Sequence, residues 1–326
     1  MTTVLCVFML TLLVITAFGM IQARNLFSAV MLGGIYSFEM AAIFFILDAA
    51  DVALTEAAIG AGITTVFFLG ALALTEHRER GRHGPQWLPI GVITATGIML
   101  IYASFDNPRI GDPNAPVHLH VAPWYLEQTP QLIGIQNVVS AILASFRGYD
   151  TLGELFVIFT AGIGVLFILS APAPQDRKVS ERLMNAEGLR HHLVPRVVGQ
   201  LLVPFIVLFG LYVQFHGDYG PGGGFQAGAL ISAGLILYAL LRGEIAALRA
   251  VPMWFLRMLI VSGALLYTTV GIAGMLLGGS FLDYSVLSND PVAGQHLGIL
   301  LVEVGVGLTV TGVLLSIFHA FAARGQ

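Results

Sequence analysis

Nine apolar runs of about 20 residues follow one another along the chain, at 3–22, 27–47, 53–74, 88–104, 149–170, 197–214, 225–241, 255–277 and 295–320. Each is long enough to cross a hydrocarbon layer of about 30 Å as a helix. The runs are continuous rather than alternating, which argues against a transmembrane β-barrel. The pattern predicts an all-α polytopic membrane protein. A further apolar stretch, 131–148, cannot be a separate crossing without breaking the charge pattern described next. It reads as an interfacial or half-inserted helix leading into the fifth crossing.

Charge fixes the expected orientation. Of the fifteen Lys and Arg, all but Arg109 and Arg147 fall on one side if the N-terminus is outside and the C-terminus inside. That is the bias expected of cytoplasmic loops. Two expected inner connections are long and charged, 76–87 and 171–195. The second opens with Ala171-Pro172-Ala173-Pro174 and is the expected domain boundary. It divides the chain into a five-helix module (1–170), a linker (171–195) and a four-helix module (196–326).

Composition agrees with this picture and narrows the chemistry. The chain is 56% hydrophobic and 10% charged, with mean hydropathy +0.84, whereas a soluble domain is about a quarter charged. The lone Cys6 excludes an intramolecular disulfide and a thiolate metal cluster. The net charge of −4 carries no nucleic-acid signature. Residues 4–22 lack a preceding Lys or Arg and are long for a signal peptide, so a retained helix is expected. In the turn-rich outer segment 106–136, the alternating His118 and His120 would share one face of a strand. No further ligands stand nearby, so no metal is expected.

Acids inside the apolar runs are costly, by about 3 kcal/mol at a bilayer centre, and usually face protein or water. Glu39 sits mid-way along the second crossing and Glu56 near the outer end of the third. Asp51 precedes a helix start, where a carboxylate can cap free N–H groups. Arg147, Asp150 and Glu154 share a helical face, with Arg147 and Asp150 close enough to pair. Glu303 in the last crossing shares a face with His296. Gly298, Gly305 and Gly312 mark the opposite, packing face. A carboxylate suits both proton and monovalent-cation handling, and a structural hydrogen-bonding role stays open for each of these groups.

The densest local feature is His216-Gly217-Asp218-Tyr219-Gly220-Pro221-Gly222-Gly223-Gly224-Phe225, between the sixth and seventh crossings. No Lys follows its glycines, so it is not a P-loop. Pro221, Gly222, Gly223 and Gly224 point to a demanding backbone shape. The stretch reads either as a structural clamp or as a backbone-lined ion entrance.

His216-Gly217-Asp218 followed by Pro221-Gly222-Gly223-Gly224-Phe225 resembles the B subunit of the Mrp (Mnh, Sha, Pha) multisubunit cation/proton antiporters. Gly298-Ile299-Leu300-Leu301-Val302-Glu303-Val304-Gly305 resembles the last helix of the same subunit. Asp51-Val52-Ala53-Leu54-Thr55-Glu56-Ala57 and Arg147-Gly148-Tyr149-Asp150-Thr151-Leu152-Gly153-Glu154, with Asn137 upstream, resemble the C-terminal region of the large A subunit. The chain thus looks like an A-subunit tail joined to a B subunit. It departs from the pattern at Asp218, where the family often has histidine, and at Gln226 or Ala227, where it often has glycine. No proton role is carried over to Asp218.

The resemblance implies a Na+/H+ antiporter subunit in the cell inner membrane, not an enzyme, with no cofactor besides the transported ions. Its implied partners are the lipid bilayer and other antiporter subunits, including large complex I-like ones, in a complex that can dimerise. The alternatives are an ion-handling subunit of a hydrogenase-type or complex I-like assembly and a pure scaffold.

Overall fold

The computed structural model describes residues 2–75, 78, 87–109, 111–169 and 193–324. Most of the expected connections 76–87 and 171–195 lie outside them. Among the described residues, nine helices are long and apolar enough to cross a membrane. They are α1 (Thr2–Gln22), α2 (Leu26–Ile46), α3 (Ala50–Ala73), α4 (Trp87–Ser104), α7 (Gly148–Leu169), α8 (Leu193–His216), α9 (Gly224–Arg242), α11 (Met253–Leu276) and α12 (Pro291–Arg324). Each predicted crossing corresponds to one of them. α12 extends several residues beyond 295–320 at either end.

The helices between the spans differ more from expectation. Residues 117–133 are helical (α5), not loop. His118 and His120 therefore lie two residues apart on a helical turn and point to opposite sides, not to one strand face. The stretch 131–148 is not one helix. α5 ends at Gly134, whose φ of +78° is left-handed. A short helix, 138–146 (α6), then begins at Asn137, whose side chain accepts from the N–H groups of Val139 and Ser140. The chain breaks again at Arg147 (φ −123°, ψ 34°) before α7. A last short helix, α10 (Glu244–Ala250), joins α9 to α11.

The core lies around α12, which packs against α11, α9 and α7. The glycine series foreseen on α12 is its contact face. A Cβ on Gly305 would stand 2.8 Å from the carbonyl oxygen of Gly263 on α11, and one on Gly312 2.9 Å from that of Leu256. Without a hydrophobic drive between helices in lipid, such close packing holds the bundle together. α1, α2 and α3 pack in sequence, and α3 joins them to α9 and α12. None of the residues of α4 is buried.

Candidate functional site

The discontinuity between α6 and α7 leaves the last carbonyl groups of α6 without intrahelical partners. Two tyrosines from the second half of the chain bond to carbonyls on either side of the break. Tyr284 donates to Ala144 O (2.9 Å) and Tyr267 to Gly148 O (2.8 Å), and both rings are fully buried. Burial pushes the Tyr284 phenol above its ordinary pKa, so it stays a neutral donor. Thr151 closes the break by donating to Leu143 O at 2.7 Å.

Asn137 does a second job besides capping α6. Its amide nitrogen donates to Gly217 O (2.9 Å) and Gly220 O (2.8 Å), and Ser140 Oγ donates to Gly217 O (2.8 Å). The backbone N–H groups of Gln136 and Asn137 both donate to Asp218 O (3.1 and 3.0 Å). The glycine-rich connection is thereby strapped to the start of α6, 80 residues away in the chain.

The loop's shape follows from its contacts. Gly223 has φ +130°, a conformation that favours glycine. A Cβ on Gly224 would strike the backbone carbonyl of Glu303, so α9 and α12 meet here backbone to backbone. A Cβ on Gly217 would stand 2.9 Å from Glu303 Oε2, and one on Gly223 3.3 Å from Oε1. The carboxylate of Glu303 thus rests in a cradle of glycine backbone. From the other side, Gly222 N–H donates to Asp51 Oδ1 at 2.9 Å.

Behind the loop lies a cavity of about 260 Å³. Three of the foreseen acids line it, each from a different helix: Asp51 of α3, Glu154 of α7 and Glu303 of α12. Ser140, Thr151, Gln226 and the backbone of Gly222–Gly224 add polar oxygen and nitrogen. The site is therefore oxygen-rich and anionic, with apolar walls from Leu155, Val302 and Val306.

Two of these acids sit differently from expectation, and the other foreseen groups lie apart from the cavity. Asp51 is not a helix cap: the capping position is Ala49, and Asp51 sits inside the first turn with its carboxylate turned to the loop. Glu154 is exposed at the cavity rim rather than buried. Arg147 and Asp150 form the anticipated ion pair (2.5 Å), exposed on the surface. Glu39 accepts from Thr16 Oγ1 of α1 (3.1 Å), away from the cavity, and its other oxygen is buried without a hydrogen bond among the described residues. Glu56 folds back over Gly60 towards Ser37 of α2, where α3 widens to π-helical bonding over Glu56–Thr64. His216 stacks on Tyr212, with centroids 4.9 Å apart. His296 places Nδ1 3.6 Å from Asp218 Oδ2. Burial raises the Asp218 carboxyl above its ordinary pKa, and His296 pulls it part of the way back. Asn137 is marked in the sequence only through the family resemblance, and Ser140 shows there only as a polar residue interrupting an apolar stretch.

Residues 194–316 match the family described as a domain related to the MnhB subunit of Na+/H+ antiporter. A Staphylococcus aureus (strain Newman) protein named "Putative antiporter subunit mnhB2" is 36% identical over 128 residues, 38% of this chain and 90% of that protein. The chain belongs to the MnhB family.

Ahead of the MnhB region, residues 11–77 match the MbhD family and residues 92–183 the MbhE family, both described as subunits of MBH. Longer proteins cover the whole run together. A Rhizobium meliloti (strain 1021) protein, named as the A/B subunit of a probable K(+)/H(+) antiporter, is 27% identical, over 92% of this chain and 32% of that protein. A chain in the structure of the Mrp complex from Dietzia sp. DQ12-45-1b matches with a TM-score of 0.75 and 27% identity, over 97% of this chain and 34% of that one. This MnhB-family chain thus spans about a third of the length of each of those two. A chain of the archaeal membrane-bound sulfane sulfur reductase shares the fold, with a TM-score of 0.53 and 24% identity over 72% of this chain and 97% of that one.

Proposed function

We propose that this chain is a subunit of an Mrp-type multisubunit monovalent cation/proton antiporter in the cell inner membrane, and that it contributes carboxylates to the ion path as well as to assembly. It works beside large antiporter-like subunits as a secondary transporter subunit, not an enzyme, and needs no cofactor beyond the ions it moves. The observation that carries this reading is the convergence of Asp51, Glu154 and Glu303 on one cavity floored by glycine backbone. Such a site offers hard oxygen ligands to a monovalent cation and carboxylates to a proton in turn. A scaffold needs no three acids round a void, whereas Arg147–Asp150 is a paired, exposed contact away from the cavity, and Glu39 is bonded to Thr16 through only one of its two oxygens. Chemistry therefore concentrates on the cavity, with Glu56 and Glu39 as flanking acids.

The test is Glu303→Gln in the assembled complex, assayed for Na+- and K+-driven proton movement in everted membrane vesicles. We expect the complex to assemble and antiport to fall at least about tenfold, the size of a lost charged ligand or proton carrier worth about 1.4 kcal/mol. Wild-type antiport in that variant would refute an ion-path role for Glu303.

A further inference from the structure

Glu303 faces the cavity on one side and is cradled by glycine backbone on the other, and a proton reaching it from the loop end of the bundle needs a route past that cradle. His296 and Glu303 lie two turns apart on one face of α12, about 10 Å along its axis. That is too far for a direct transfer. Asp218 is in reach of the first and adjoins in sequence a residue that touches the second. Its Oδ2 is 3.6 Å from His296 Nδ1, and its chain neighbour Gly217 packs against the Glu303 carboxylate. The His296 side chain is 41% exposed and that of Asp218 23%, while Glu303 lines the cavity.

We propose that His296 and Asp218 form a proton relay between solvent at the loop end and Glu303, an inference that rests on the reading of Glu303 as an ion-path carboxylate. The imidazolium gives its Nδ1 proton to Asp218 Oδ2, breaking an N–H bond and forming an O–H bond. The neutral carboxylic acid then passes that proton to the Glu303 carboxylate. At 3.6 Å the first contact is longer than a hydrogen bond, and a small side-chain rotation or one intervening water closes it. Among the described residues, His296 of α12 is in direct reach of Asp218, and the charges of Asp218 and of Asp51 on α3 both act on Glu303. His216, though two residues from Asp218, has its ring stacked on Tyr212 and is not a member. The carboxyl of Asp218, held above its ordinary pKa by burial, takes and releases a proton more readily than a solvated aspartate. The backbone of residue 218 keeps its bonds from Gln136 and Asn137 whatever its side chain, so substitutions there leave the loop strapped.

Two measurements on the assembled complex in membranes test the relay. The first is carbodiimide modification of Asp218, which requires the protonated carboxyl, followed by peptide mass spectrometry across pH. His296→Gln removes the cation that favours ionised Asp218, so modification should persist to higher pH than in the wild type. An unchanged profile overturns the pairing. The second is antiport in everted vesicles. Asp218→Asn should slow it by roughly tenfold or more, Asp218→Glu should retain most of it, and millimolar azide, a small diffusible proton carrier, should restore part of the rate to Asp218→Asn. Undiminished antiport in Asp218→Asn, or no recovery with azide, overturns the relay. Glu303→Gln run in parallel separates the two readings: if it transports normally the ion path through Glu303 fails, whereas if it is inactive while Asp218→Asn is normal only the relay fails.

Discussion

Asn137 joins two halves of the chain through a single side chain. Its carbonyl oxygen caps α6 while its amide nitrogen holds two loop carbonyls, those of Gly217 and Gly220. Removing this donor leaves Gly220 O without its bond from Asn137, at about 1–3 kcal/mol for an unsatisfied buried acceptor, while Gly217 O keeps its bond from Ser140 Oγ. Asn137→Ala should therefore lower the unfolding temperature of the detergent-solubilised complex and, by loosening the glycine cradle, reduce antiport. Asn137→Asp separates the two tasks. It preserves the cap but turns the donor into an acceptor facing two carbonyls. We expect it to be at least as damaging as Asn137→Ala, and an Asp variant with wild-type stability would show that capping, not strapping, is what matters at this position.

Between elements, contact distance decides what a substitution does. α9 and α12 cross where a Cβ on Gly224 would meet the Glu303 carbonyl and one on Gly228 would stand 2.8 Å from the Gly307 carbonyl. Backbone cannot rotate aside as a side chain can, so Gly224→Ala should force the helices apart, and we expect the complex to fail to assemble on native gels. Gly164→Ala on α7, with nothing within 4 Å of the added methyl, should leave the yield of this chain unchanged, since it only relieves the helix of a glycine. The two glycines look alike in the sequence. Hydropathy located every span, and seven-residue spacing identified the packing face of α12, because both signals are local. What escaped were pairings across long separations. Asp51 reads as a helix cap when only its chain neighbours are visible, and its true partner, Gly222, is 171 residues away. The Glu303 cradle and the Asp218–His296 contact are hidden for the same reason. The π-helical turn at Glu56 leaves no mark, since its apolar pattern is too short to distinguish from an ordinary helix.

Across the whole molecule, the contacts sort the connections into two ends. Asp51 after the α2–α3 turn, Asn137 before α6, the 217–223 loop and His296 at the start of α12 all meet at one end. At the other, Arg324 donates to Leu169 O (2.8 Å), and Asn25 bridges to Arg78. Alternating spans bring the same groups of connections together, so the packing and the parity of nine spans agree among the described residues. Charge gives the expectation for which end faces the cytoplasm: Arg24, Arg78, Arg242, Arg249 and Arg324 belong to the second end, and cytoplasmic loops carry an excess of Lys and Arg. We therefore expect the glycine loop and the His296–Asp218 pair to face outward. A green fluorescent protein fused after residue 326 should fluoresce, because that reporter folds only in the cytoplasm. With Cys6→Ser as background, Tyr219→Cys, an exposed loop position, should react with a membrane-impermeant maleimide in whole cells. Arg249→Cys should react only once the membrane is opened. The opposite labelling pattern would invert the bundle and with it the direction of the relay, so that protons would enter Glu303 from the cytoplasm rather than from outside.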